Sequence, residues 1–168
     1  MWGEIMLTEL IDKIRLDSNC IVSAPTRLPN IPEEFDLPGD VIEFYRLCGG
    51  MEIYCENSSF GFRIMSADEV TQVNPLIVGE LCEGDISSHW FAIAQDGNGD
   101  YISIDFSKGK KNGFCYDSSI ECHGLVGACA IVAKCFTDLL NNLYKNRGTS
   151  IYWTESDFQY LGDAYDKY

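Results

Sequence analysis

Apolar side chains recur with helical spacing, i, i+3, i+4 and i+7, in three segments of the chain. The three sets are Leu7, Leu10, Ile11 and Ile14; Val41, Phe44, Tyr45 and Cys48; and Val132, Cys135, Phe136 and Leu139. They predict amphipathic helices over residues 5–16, from Pro38 to the Gly49-Gly50 pair, and over residues 128–144. Each helix has one apolar stripe, so all three should pack on a common core.

Short runs of branched and aromatic residues lie before and after the second helix. Residues 51–54 and 60–64 predict a hairpin whose turn covers residues 56–59. A short strand is expected at residues 20–23. The capping-box spacing of Ser66 and Glu69 predicts a turn or short helix at residues 66–71.

A second hairpin is predicted from residues 90–94 and 101–105. The intervening residues 95–100 contain two glycines with Asn and Asp, which suit a tight turn. Tyr101, Ser103 and Asp105 alternate with Ile102 and Ile104, which predicts one buried and one wetter face. Residues 108–113 form a basic loop, and residues 114–116 predict one more strand.

The order helix, helix, several strands, helix predicts the α+β class, with a largely antiparallel sheet packed against N-terminal and C-terminal helices. With 168 residues, 46% of them hydrophobic, the chain suits a single domain over residues 1–168. The segment 149–168 mixes aromatic and acidic residues and is expected to be ordered.

Residues 1–9 contain acids and lack the basic start and apolar run of a secretory signal. Asp, Glu, Lys or Gly interrupts every apolar run, so no membrane span is predicted. We therefore expect a cytoplasmic protein whose eight cysteines are thiols. The absence of CxxC pairs and the wide separation of His89 and His123 argue against a metal site.

The formal net charge of −14 disfavours direct binding to nucleic acid, which requires clustered Lys and Arg. No basic residue lies between Arg63 and Lys108, whereas eight acids do: Asp68, Glu69, Glu80, Glu83, Asp85, Asp96, Asp100 and Asp105. This acidic stretch could steer a basic protein partner, or it could simply keep the chain soluble.

Familiar catalytic and ion-binding motifs are missing, so no catalytic residue, metal ligand or cofactor is predicted. Asp96, Asn98 and Asp100 begin like a calcium loop, but Tyr101 and Ser107 occupy the positions that require Gly and Glu. No cysteine stands beside a base and an oxyanion hole in a recognisable motif. An enzyme remains an alternative that a pocket with a strongly perturbed Cys, His or carboxylate would support.

Two groups are candidates for partner binding. Glu80, Glu83 and Asp85 lie with two glycines in a stretch typical of an exposed loop, where binding function is common. In the tail, Trp153 with Glu155 and Asp157 combines an aromatic anchor with acids. The alternative is that Trp153 only covers the core.

Three blocks of the sequence resemble the SUKH superfamily, named in part after a fungal cell-wall assembly regulator. The first runs from Leu37-Pro38 and Asp40 through Phe44-Tyr45 to Gly49-Gly50. The second, Trp90 to Asp105, is similar to the family's W-x-x-I-A-x-D-G-x-G-D-Y strand pair. The third runs from Ile131 through Phe136 to Leu139-Leu140. The family-like core thus covers about residues 31–140, and the tail at 149–168 departs from it.

The resemblance implies a non-catalytic immunity protein that neutralises a secreted polymorphic toxin, often a nuclease or deaminase. Nuclease toxins need basic surfaces for phosphate, so the expected partner is a basic protein toxin domain. The resemblance to fungal relatives leaves a second hypothesis, a regulatory or scaffold protein linked to cell-envelope or signalling pathways.

Overall fold

The seven strands that the structure describes form one sheet in which each strand pairs antiparallel with its neighbours in the sequence. The structure is a computed structural model and describes residues 5–56 and 58–167. The strands are β1 Cys20–Val22, β2 Met51–Ile53, β3 Phe62–Ile64, β4 Trp90–Asp96, β5 Tyr101–Asp105, β6 Cys115–Ser118 and β7 Ile131–Ala133.

Four α-helices lie in the described residues: α1 Leu7–Leu16, α2 Gly39–Leu47, α3 Asn74–Ile77 and α4 Phe136–Asn146. The apolar stripes of α1, α2 and α4 are buried, as their spacing predicts. The rings of Phe44 on α2 and Phe136 on α4 meet edge to face at 4.8 Å. With the antiparallel sheet, these helices confirm the predicted α+β class.

The helices cover the sheet face that carries Phe62, Ile102 and Ile104. The opposite face is also buried over β4 to β6, because the segment between β6 and β7 and the end of the tail lie on it. Ser103 is therefore fully buried and Asp105 nearly so. The prediction that these two residues form a wetter face was wrong, since alternation along one strand does not show that a second layer covers it.

The first two helices, the strand at Cys20–Val22 and both hairpins agree with the sequence predictions. Asn57, in the turn of the first hairpin, lies outside the described residues. Ser66 and Glu69 form the predicted turn, in which the Glu69 carboxylate accepts a hydrogen bond of 3.0 Å from the Ser66 amide.

The third predicted helix was wrong over its first eight residues. Residues 131–133 form β7, and α4 begins only at Phe136, with the Cys135 sulfur accepting from the Asp138 amide at 3.4 Å. Cys129 and Cys135 thus precede the helix. Two branched residues, Ile131 and Val132, favour a strand, and pairing with β6 decides the outcome.

The tail continues the sheet beyond β7. The Ile131 amide donates to the Gly162 carbonyl at 2.9 Å, and the Ala164 amide donates to the Cys129 carbonyl at 2.8 Å. Before this, a 3-10 turn at Tyr152–Thr154 buries Tyr152. The tail is therefore ordered through aromatic packing, as predicted, and also through backbone pairing that the sequence did not indicate. Tyr168 lies outside the described residues.

Candidate functional site

The acidic loop, residues 78–86, joins α3 to a 3-10 turn at Ile86–His89. Glu80 and Glu83 are exposed on it, as the sequence predicts for a binding loop. Asp85 is half-buried: its carboxylate accepts from the Ser87 amide at 2.9 Å and from the Tyr165 hydroxyl at 2.8 Å. Asp85 therefore holds the loop in place, while the two glutamates face solvent.

Electrostatics at Asp85 follow from these contacts. Burial alone would raise its pKa, but the hydrogen bonds from Ser87 and Tyr165 outweigh burial and lower the pKa below its usual value. Asp85 is thus ionised at neutral pH. The same contact, together with burial, raises the pKa of the Tyr165 hydroxyl, which stays protonated and donates.

A buried side chain, Asn74, ties the acidic loop to the interior. Its amide nitrogen donates to the Leu81 carbonyl at 3.0 Å and to the Ser87 hydroxyl at 2.9 Å. Its amide oxygen lies 2.5 Å from Nε2 of His123. Every polar atom of this amide therefore has a partner, as a buried amide requires.

The chain of hydrogen bonds continues from His123 into the sheet. Nδ1 of His123 lies 2.9 Å from the Ser118 hydroxyl on β6, which lies 2.7 Å from the Ser103 hydroxyl on β5. We assign the neutral tautomer protonated on Nε2, because the Asn74 oxygen can only accept there. Burial lowers the pKa of His123, in keeping with a neutral ring. The set Asn74, His123, Ser118 and Ser103 is called the buried relay below.

Aromatic rings enclose the relay. The Trp90 ring meets His123 edge to face at 5.8 Å and Tyr165 edge to face at 6.1 Å, and it lies 4.4 Å from the Tyr116 ring at a tilt of 33°. The Trp90 indole nitrogen is fully buried and has no hydrogen-bond partner within residues 5–56 and 58–167. Packing rather than hydrogen bonding thus fixes Trp90, and the ring in turn fixes the imidazole.

The second predicted group lies in the tail and has two different parts. Trp153 is half-buried: its ring lies 6.0 Å from Phe62, and its indole nitrogen donates to Asp117 at 3.1 Å. The ring therefore covers the edge of the core. Glu155 and Asp157 are exposed and line an open groove of about 640 Å³ beside α4.

The two predicted groups are not brought together. Trp153 packs on Phe62, which shares a sheet face with Ile102, whereas Tyr165 and Asp85 lie over Trp90 on the opposite face. It is the far end of the tail that meets the acidic loop. The structure thus offers two separate surfaces.

A smaller cavity of about 360 Å³ lies where α1 and α4 meet the β2–β3 hairpin, lined by Asp17, Tyr54 and Arg147 among others. Tyr54 has a φ of +55°, which is unusual for an aromatic residue. In this conformation its hydroxyl donates to Asp17 at 2.8 Å, and its ring stacks on Tyr144 at 6.0 Å. The Asn19 amide and the Tyr54 hydroxyl are the chief causes of a lowered pKa at Asp17.

Two buried thiols are held in an unreactive state. Burial raises the pKa of the thiols of Cys115 and Cys129, the latter to about 12, so both are protonated at neutral pH. Within residues 5–56 and 58–167, no cluster of His, Cys, Asp or Glu has the geometry of a metal site. None of the helices described is long and apolar enough to cross a bilayer.

Asn74 and His123 had no signal in the sequence that would have marked them. They are 49 residues apart, and each looks like an ordinary loop residue beside Pro75 and Gly124. Only the pairing of β5 with β6 and the placement of α3 bring them together.

The fold and this site define a class of α+β domain in which loops stand on a sheet that is covered on both faces. The family model described as SMI1 / KNR4 family (SUKH-1) matches residues 33–142, so the chain belongs to this family. The resemblance inferred from the sequence is thereby confirmed. The chain is also 45% identical, over 157 residues covering 94% of each chain, to a Bacillus subtilis (strain 168) protein named immunity protein YokJ.

Proposed function

We propose that this protein is an immunity protein that binds a cognate bacterial toxin and neutralises it. The observation that carries the proposal is the 45% identity, over nearly the whole of both chains, to a protein named as an immunity protein. At this level of identity over almost the whole of both chains the two proteins share a fold, which supports a shared role.

Neutralisation proceeds by stoichiometric binding rather than by chemistry. The thiols with raised pKa and the neutral, fully hydrogen-bonded His123 support this mechanism, since none is poised to attack a substrate. A toxin that acts on nucleic acid acts inside the cell, so the proposed place of action of the immunity protein is the cytoplasm.

The negative charge of this protein favours a toxin with a basic surface. The net charge of −14 and the exposed Glu80 and Glu83 suit a basic surface such as a nuclease or nucleobase deaminase presents to phosphate. Covering that surface would exclude nucleic acid from the active site. The immunity protein thus replaces the nucleic acid as the anionic ligand.

The residues proposed to contact the toxin are Glu80, Glu83, Trp153, Glu155 and Asp157. Asp85, proposed with them from the sequence, has a supporting role: its contacts with Ser87 and Tyr165 fix the loop. Exposed acids contribute chiefly to the association rate, whereas the indole of Trp153 would contribute to the lifetime of the complex.

A survival assay tests the proposal. The C-terminal domain of the protein encoded beside this gene is expressed with and without this chain. Rescue of growth together with a co-purifying one-to-one complex is the expected result. A toxic neighbour that kills equally well in the presence of this chain contradicts it, and a harmless neighbour redirects attention to the regulatory or scaffold role.

Charge reversal locates the interface within the same assay. Glu80→Lys with Glu83→Lys should weaken rescue, because both side chains are exposed and neither supports the fold. Glu9→Lys with Glu43→Lys, at exposed positions of α1 and α2 in the helical layer, changes the net charge equally and is the matched control. Equal loss in both variants would indicate a general charge effect.

A further inference from the structure

Exposed apolar side chains are concentrated in two loops. Of the twelve large apolar residues that stand exposed in the described chain, six lie within residues 78–86 and 119–126. Leu125 is 53% exposed and Val126 is 79% exposed. Single exposed apolar residues are ordinary, but such a concentration on two short segments marks an interaction surface.

The two loops form one surface because two bridges connect them. The Leu81 carbonyl and the His123 ring are both direct partners of the Asn74 amide, at 3.0 and 2.5 Å. On the other side, the Tyr165 hydroxyl contacts Asp85 at 2.8 Å and lies 3.8 Å from where a Cβ on Gly124 would be. Residues 78–86 and 119–126 are therefore neighbours, held by the buried relay.

The charge of this surface has one sign. The two loops contain four acids and no Lys or Arg; the acids are Glu80, Glu83, Asp85 and Glu121. Glu80, Glu83 and Glu121 are exposed. Exposed apolar side chains and exposed carboxylates thus belong to the same surface, a combination common at protein interfaces.

We infer that residues 78–86 and 119–126, the loop surface, bind a toxin segment in which large apolar side chains are flanked by Lys or Arg. Leu81, Ile86, Leu125 and Val126 supply the apolar contact, and the glutamates pair with the basic flanks. The inference rests on the proposed function only in naming the toxin as the partner, because the chemistry follows from the surface itself.

Preorganisation strengthens the case for this surface. Loops usually lose conformational freedom when they bind, which weakens binding. Here the Asn74 and Tyr165 bridges already fix both loops in the free protein. A partner therefore meets a surface that is already formed, and the apolar contact is realised with little ordering.

A peptide selection tests the chemistry without the toxin. Random 12-residue peptides displayed on phage are selected for binding to the wild-type protein. Phage that also bind a Leu81→Asp/Val126→Asp variant are then removed, because the added acids of this variant would still bind peptides that are held by charge alone. Enriched peptides should combine Lys or Arg with Leu, Phe or Trp, and should bind the variant at least about tenfold more weakly. A selection that yields no surface-dependent peptide, or yields peptides without basic residues, overturns the inference.

The toxin complex provides the second test. Leu125→Ala with Val126→Ala should weaken the complex at least about tenfold, whereas Leu16→Ala, an 88% exposed position on α1, should change it less than twofold. Unchanged thermal melting confirms that the variants fold. If the wild-type protein binds the toxin and the loop variants bind it equally well, the inference fails and the proposed function stands. If the wild-type protein does not bind the toxin, the proposed function fails, and the peptide selection alone decides whether the loop surface binds basic, apolar segments.

Discussion

Removing the Asn74 amide should destabilise the protein far more than its place beside a surface loop suggests. Asn74→Ala leaves the buried Nε2–H of His123 without an acceptor, which costs about 1–3 kcal/mol. The Leu81 carbonyl can regain water and the Ser87 hydroxyl can rotate, so each lost bond adds only about 0.5–1.5 kcal/mol. These contributions sum to about 2–6 kcal/mol, and because the two loop groups can relax, we expect a total in the lower half of that range, about 3 kcal/mol.

Urea unfolding followed by tryptophan fluorescence measures this change directly, because Trp90 packs on His123. In a domain of this size the loss corresponds to a fall in melting temperature of about 6–12 °C. Asn98→Ala, at an exposed position of the β4–β5 turn, should change stability by less than about 0.5 kcal/mol.

A double-mutant cycle decides whether the relay acts as a unit. Asn74→Ala and His123→Ala share one hydrogen bond, so their effects should fall short of additivity by about 0.5–3 kcal/mol. Strict additivity, or an Asn74→Ala variant as stable as Asn98→Ala, would refute the account of the relay given above.

Four further results are expected. Because burial lowers the pKa of His123, the unfolded chain binds a proton at this residue at higher pH than the folded chain does. The free energy of unfolding should therefore fall as pH drops below 6.5, by at most about 1.4 kcal/mol per pH unit. Urea unfolding at pH 7.5 and 5.5 should show a smaller decrease in this free energy for His123→Asn than for the wild type. Gly148→Ala should destabilise by about 1–3 kcal/mol in thermal unfolding, because φ is +67° and the new Cβ would lie 3.0 Å from the Cβ of Tyr54. The association rate with the toxin should fall as salt rises from about 0.05 to 0.5 M in stopped-flow measurements, and a salt-independent rate would remove electrostatic steering. Under native conditions Cys115 should resist alkylation, since it is fully buried with a raised pKa; rapid labelling followed by mass spectrometry would contradict this.

Sequence patterns predicted most of the fold where local chemistry decides the structure. The spacing of Leu7 to Ile14 is a pattern within α1, and the glycines after Cys48 end α2. The Gly-Asn-Gly sequence likewise determines one turn, that between β4 and β5. The strand at Ile131–Ala133 was missed because its neighbours Cys135 and Phe136 continue a helical spacing, and only pairing with β6 separates strand from helix.

The candidate site was less accessible to sequence reasoning. The acidic loop could be predicted, because Glu80 and Glu83 lie among glycines without apolar periodicity. The supporting role of Asp85 could not, since it depends on Tyr165, 80 residues away. The hydrogen bonds of the buried relay likewise form only after α3, β5 and β6 have reached their positions in the fold, so no local sequence pattern indicates them.

The order of strands in the sheet repeats the order in which the chain is made. The β2–β3, β4–β5 and β5–β6 hairpins can therefore pair soon after they leave the ribosome, because their loops are short. The helical layer cannot: α1 packs on α4, and Tyr144 reaches Asp17 across 127 residues of sequence. Until the last fifth of the chain has been synthesised, the helical layer lacks α4, so translation of α4 completes the cover of this face of the sheet.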